Sequence, residues 1–193
     1  MTTRASTAPA ETRNAFDVVL GFVNTRLDPK AGHVERFGTA KDFSEWAREF
    51  GLLDDQTVTE SEAAAARELR AALAVVMLAH ANPERMTRQQ IEDAERHLAH
   101  AGESYPVKVT ISTSGSAVTG HGRGAAGVLG GVLAAANELV QQRNWGRLKA
   151  CACEPCENGF ADRTKSGGQR YCGPNCASRS AMRAMRQRRR YDR

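Results

Sequence analysis

Residues 151–156 read CACEPC and residues 171–176 read YCGPNC, and these two stretches hold all five cysteines of the chain. Cys151 and Cys156 are spaced C-x4-C, Cys153 and Cys156 C-x2-C, and Cys172 and Cys176 C-x3-C, with 15 residues between Cys156 and Cys172. Two close pairs separated by a loop of that size are the arrangement of a four-thiolate zinc module, each pair sitting on a tight turn. Pro155, Gly159, Gly167, Gly168, Gly173 and Pro174 stand where such turns need them. A tetrahedral site takes four thiolates and disulfides take an even number, so one cysteine is left over. Spacing alone lets either Cys151 or Cys153 pair with Cys156. Redox-active free thiols and an iron–sulfur cluster are the other chemistries such a cluster admits.

Residues 147–193 have little apolar content beyond Leu148, Phe160, Tyr171, Met182, Met185 and some alanines. Segments below roughly 40 to 70 residues rarely bury enough surface to fold unaided. A structural zinc supplies about 10 to 16 kcal/mol of apparent binding energy, much of it going into folding. The expectation is a segment that is disordered without metal.

After the second pair comes NCASRSAMRAMRQRRRYDR, made of good helix formers with Asn175 or the preceding turn as its cap. At 100° per residue, Arg179, Arg183, Arg186 and Arg190 fall within about 60° of one another, a single arginine stripe. Met182 and Met185 lie to one side, where packing on the cysteine module would bury them. Arginine's planar fork pairs with phosphate oxygens and with guanine edges, so the stripe suits a nucleic acid. DNA is favoured over RNA because Tyr171 and Tyr191 are the segment's only stacking residues apart from Phe160.

The net charge of +5 conceals a division, for residues 147–193 carry 12 Lys and Arg against 4 Asp and Glu, leaving 15 against 18 in residues 1–146. Such asymmetry assigns the C-terminal part to an anionic partner and the larger part to another task. No apolar run approaches the roughly 18 residues of a membrane span. Residues 1–13 lack the apolar stretch of a signal peptide and are expected to be disordered. Cytoplasmic residence follows as the expectation, and in that reducing setting clustered cysteines favour metal over disulfides.

Residues 14–146 read as a mainly helical domain with one small hairpin. Asn14 caps a first helix through NAFDVVLGFVNTRL. A second runs from about Lys41 to Phe50 and closes at Gly51, with Phe43, Trp46, Ala47 and Phe50 on one side. The clearest spans Thr59 to Ala81 before Pro83, and another starts at Thr87, where TRQQ forms a capping box, and reaches about Ala101. Val107, Val109 and Ile111 alternate with polar residues as in a strand, with a turn at Ser114-Gly115-Ser116 and a return strand near Ala117 to Thr119. A last helix runs from about Ala125 to Gln142.

The segment RLKACACEPCENGFADRTKSGGQRYCGPNCASR resembles the CGNR-type zinc finger, which shows an RL-x-x-C lead-in, a C-x4-C pair, F-x-D, and an aromatic-Cys entering the second pair. The pattern falls on Arg147, Leu148, Cys151, Cys156, Phe160, Asp162, Tyr171, Cys172, Cys176 and Arg179. This resemblance implies zinc on Cys151, Cys156, Cys172 and Cys176, with Cys153 the spare thiol. The name-giving Cys-Gly-Asn-Arg stands here as Cys176-Ala177-Ser178-Arg179. Fingers of this type follow an N-terminal domain called ABATE, which FVNTR at Phe22 to Arg26, KDFSEWAREFGLL and RELRAAL resemble. Gly21 stands where that family often has aspartate. The resemblance implies a bacterial, stress-linked transcription regulator whose N-terminal domain dimerises the chain into a homodimer or senses a signal.

Other candidates are weaker. His97 and His100, at i and i+3 beside Glu92, Asp93 and Glu95, fit a wet helix surface as well as a metal. His121 in GHGRGAAG lacks the spacing of a phosphate-binding loop. Asn24 and Thr25 suit a pocket, a cap or the core. No catalytic constellation is visible, so an enzyme is not expected. The reading is therefore a zinc-dependent, DNA-binding regulator with Arg179, Arg183, Arg186 and Arg190 on DNA. The alternative is a thiol-based redox and zinc sensor that meets proteins instead of DNA, with Cys153 as the oxidised thiol.

Overall fold

A computed structural model describes residues 14–26, 34–53 and 56–191; the expectation of disorder over 1–13 lies outside them. Among the described residues there are six helices: α1 (Ala15–Val23), α2 (Ala40–Glu49), α3 (Glu60–Ala81), α4 (Arg88–Ser104), α5 (Gly124–Gln141) and α6 (Pro174–Tyr191). Two antiparallel hairpins accompany them, β1 (Val107–Ser112) with β2 (Gly115–Gly120), and β3 (Leu148–Ala150) with β4 (Gly159–Ala161). The mainly helical reading stands.

Helix starts follow local chemistry. The Asn14 side chain accepts from the Asp17 amide, while Thr39, Thr59 and Thr87 each close a capping box with Asp42, Glu62 and Gln90. The first hairpin turns at Thr113-Ser114, with Ser112 facing Gly115, earlier than the serine-glycine pattern predicts. The second hairpin leaves no signal in the sequence, because three-residue strands carry too little alternation to register.

One core unites α1, α2, α3 and α5 through Val19, Phe22, Phe43, Trp46, Leu69, Leu73, Met77, Val128 and Leu139, all at most 1% exposed. Phe37 joins it, its ring centroid 4.9 Å from Phe43 and 5.0 Å from Trp46. Gly21 has a physical reason: a Cβ there would lie 2.3 Å from Cε1 of Phe50. That ring fills the room an aspartate would need.

Leu148 (0% exposed) and Ala150 (1%) belong to the same core as Val19 and Phe22, so the start of residues 147–193 leans on the helical domain. One expectation about this segment needs correction. Met182 and Met185 are 51% and 48% exposed and do not pack on the cysteine module. Instead Ser180, Arg183, Ala184 and Gln187 of α6 line a cleft against Asn82, Arg85, Ala152 and Glu154, which turns the methionine side outward.

Candidate metal centre

The first cysteine turn is held from three directions. The Cys156 amide donates to the Cys153 carbonyl at 2.7 Å, the Cys151 amide to the Asn158 carbonyl at 2.9 Å, and the Ala152 amide to the Arg170 carbonyl at 2.9 Å, which ties this turn to the segment leading to Cys172. The second turn ends as α6 begins, with the Cys176 amide donating to the Gly173 carbonyl at 3.2 Å. Pro174 suits that first helical turn because it has no amide hydrogen to leave unsatisfied.

Together the turns bring the sulfurs of Cys151, Cys156, Cys172 and Cys176 within 4.8 Å of one another, the one such metal-competent group among the described residues. Sulfurs about 2.3 Å from a common tetrahedral ion stand about 3.8 Å apart. The Sγ separations of Cys156 and Cys172 (3.7 Å) and of Cys172 and Cys176 (3.8 Å) match that edge. Four buried or half-buried thiols with no disulfide fit zinc in donor type, number and spacing. Cys153, 1% exposed, is outside the four, and its Sγ lies 3.7 Å from the Glu154 carbonyl.

Burial and hydrogen bonding act on the thiols in opposite directions. Burial pushes the Cys151 thiol up to about 11 against the hydrogen bonds it accepts, and burial beside the other sulfurs raises Cys172 as well. At Cys176 burial also raises the pKa, but donors outweigh it, first the Arg179 guanidinium, and the net direction is downward. Arg179 Nη2 lies 2.9 Å from Cys176 Sγ, and the Cys172 amide donates to Cys151 Sγ at 3.4 Å. Donors of this kind orient thiolates and offset their charge.

A buried ion pair supports the centre from behind. Lys149, between two core residues, is 3% exposed, and its Nζ donates to Asp162 Oδ2 at 2.9 Å, to the Gly167 carbonyl at 2.6 Å and to the Gln169 carbonyl at 3.0 Å. Asp162, 2% exposed, also accepts from the Thr164 amide and hydroxyl and from the Gln169 amide. Burial raises this carboxyl's pKa, but the donors, Lys149 first, hold it well below the usual carboxylate range. Asp162 thus closes the loop between the two cysteine pairs.

The helical domain grips this assembly through the FVNTR segment. Asn24 donates to the Gly159 carbonyl at 3.1 Å and accepts from the Gly159 amide at 2.7 Å. A Cβ at Gly159 would lie 2.9 Å from Met77 Cε and 3.0 Å from Asn24 Oδ1, so the strand approaches α1 and α3 closely. Arg26 and Arg85 share Glu157, at 2.7 and 2.6 Å, and His80 Nδ1 lies 2.8 Å from the Leu148 carbonyl. Burial, with Lys149 nearby, lowers the His80 pKa despite that hydrogen bond, which favours a neutral ring donating to the carbonyl. Thr25 does not face a pocket: its hydroxyl donates to the Phe22 carbonyl at 2.6 Å and accepts from Arg70 at 3.0 Å.

The predicted arginine stripe is divided by these contacts. Arg179 serves Cys176, and Arg183 lies 3.2 Å from the Glu154 carbonyl and 3.7 Å from its carboxylate. Arg186 and Arg190 remain exposed, with no hydrogen bond or ion pair among the described residues, as do Arg188 and Arg189. His97 and His100 form no metal group among the described residues; His100 sits 3.6 Å from Glu103. His121 occupies an exposed turn before α5. No helix among the described residues is long and apolar enough to cross a membrane.

The ABATE family model, described as "Putative stress-induced transcription regulator", matches residues 17–143, and the CGNR zinc finger model matches residues 147–189. This chain belongs to the ABATE family and carries a CGNR zinc finger, and it is a zinc-binding regulator. No curated protein matches the chain.

Proposed function

We propose that the protein is a zinc-dependent, DNA-binding transcription regulator in which α6 is the DNA-contacting element and the ABATE domain dimerises the chain or receives a signal. Cys151, Cys156, Cys172 and Cys176 would hold the zinc. The ion supplies a fixed cross-link between two turns that have few apolar contacts of their own. Arg179 then holds the Cys176 thiolate, Arg183 and Glu154 anchor the next turn of α6, and the remaining length of the helix projects its guanidinium groups. One observation carries the reading. α6 has six arginines and no acidic residue, begins at the last thiol of the cluster, and keeps Arg186, Arg188, Arg189 and Arg190 free of protein partners among the described residues. Free guanidinium groups on a rigid helix are suited to phosphate and base edges.

A purified sample titrated with DNA fragments over a salt series tests this, with and without chelator. Three to four phosphate contacts give a salt slope of roughly −2.7 to −3.6, about a 40- to 150-fold loss of affinity between 50 and 200 mM salt. Chelator is expected to abolish binding. Binding untouched by chelator, or none at all, would contradict the reading. The alternative, oxidation of Cys153, gains little support from a thiol that is 1% exposed.

A further inference from the structure

The cleft-facing residues of α6 fix which side of the helix is turned away from the protein. Ser180, Arg183, Ala184 and Gln187 line the cleft, and Ser180 and Ala184 are half-buried while their neighbours from Ala181 to Arg190 are exposed. At 100° per residue the opposite side carries Ser178, Met182, Met185 and Arg189, spaced i, i+4, i+7 and i+11 and falling within about 60° of one another. Met182 and Met185 are about half exposed at its centre. On the same projection Arg186 and Arg190 flank this strip on one side and Arg188 flanks it on the other. Arg179 and Arg183 are occupied by the finger.

An apolar centre bordered on both sides by cations has the charge distribution that complements a major groove, where base edges lie between two phosphate backbones. The groove is about 12 Å wide and admits one α-helix. Phosphates repel an acidic side chain, and α6 has none. Within the groove the apolar feature offered to a protein is the thymine 5-methyl group. Methionine, unbranched and polarizable, adapts its shape to such a surface.

Resting on the DNA-binding reading, we propose that Ser178, Met182, Met185 and Arg189 form the base-reading strip of α6. Met182 and Met185 pack on thymine methyl groups, and Arg186, Arg188 and Arg190 grip the flanking phosphates. This reassigns sequence discrimination from the arginine stripe to the outward methionine strip.

Thymine methyls are removable one at a time, which gives a direct test. The tightest duplex selected from a random library is remade with deoxyuridine replacing single thymidines, and the zinc-loaded full chain is titrated against the series. Wild type is expected to lose about fourfold in affinity per contacted methyl at one or two positions, the effect of one buried methyl-sized group. The Met182→Ala/Met185→Ala variant is expected to bind thymidine and deoxyuridine duplexes alike while keeping the wild-type salt slope. Both methionines are exposed, so this variant leaves the core intact. Wild-type indifference to deoxyuridine at every position would overturn the methionine assignment while leaving DNA binding standing, and so would a double variant that keeps the penalty. Failure of wild type to bind any duplex would overturn both.

Discussion

Replacing Cys172 with serine is expected to release the zinc and unfold the cysteine turns while leaving helices α1 to α5 in place. Cys172 is the shared corner of the cluster, with Cys156 and Cys176 sulfurs 3.7 and 3.8 Å away. Losing one of four thiolates forfeits a large part of the roughly 10 to 16 kcal/mol that a structural zinc contributes. Among the described residues, the apolar support clustered around the sulfurs is Phe160 and Tyr171 with the cysteines themselves, which cannot replace it. The helical core contains none of the cysteines, and its largest buried side chains lie on α1, α2, α3 and α5 or on the Phe37 loop and β3. Hydrogen exchange resolved by segment distinguishes the two parts. Amides from Cys151 to Cys176 should lose protection, as they should when chelator is added to wild type, while those of α3 and α5 keep theirs. Cooperative loss of both parts would mean that the finger also holds the helical domain together.

The second large effect falls on Asp162. An alanine there leaves the Lys149 ammonium buried with two carbonyl acceptors and no counter-charge. Breaking a buried pair by removing one partner costs about 3 to 5 kcal/mol. The loop amides of Thr164 and Gln169 lose their acceptor at the same time. Combining the change with Lys149→Met should recover part of the loss, since an apolar replacement leaves no orphaned charge. Denaturant melts of zinc-loaded wild type and the two variants give the comparison. The pH dependence has a defined sign. Asp162 is held below the unfolded carboxylate value of about 3.9, so its contribution is complete above about pH 4 and is lost as pH falls through the folded value. Asp162→Asn and wild type should therefore differ across the neutral range and converge only in strong acid.

Much of this was legible in the sequence because it depends on near neighbours. Asn14 and Thr87 announce helix starts through bonds spanning three residues, and the cysteine pairs announce a metal through their spacing. What was missed depends on distant partners. Lys149 looks like a surface lysine until Asp162 and the carbonyls of Gly167 and Gln169 are folded around it. Asn24 meets Gly159 across 135 positions, and the FVNTR segment gives no local hint of that hydrogen-bond pair. The helical wheel groups four arginines, but a wheel does not say which side meets the protein. Arg179, three residues after Cys176, carried a usable signal, since i and i+3 side chains are neighbours on a helix. The same missing information misplaced Met182 and Met185, which face outward because the cleft takes Ser180, Arg183, Ala184 and Gln187.

The central claim is that one zinc ion sits on Cys151, Cys156, Cys172 and Cys176 and organises the finger. Zinc content per chain across the five single cysteine-to-serine variants tests it most directly. The account predicts one zinc in wild type and in Cys153→Ser, and loss of tight binding in the other four. Retention in Cys151→Ser with loss in Cys153→Ser, or no zinc in wild type, would contradict it.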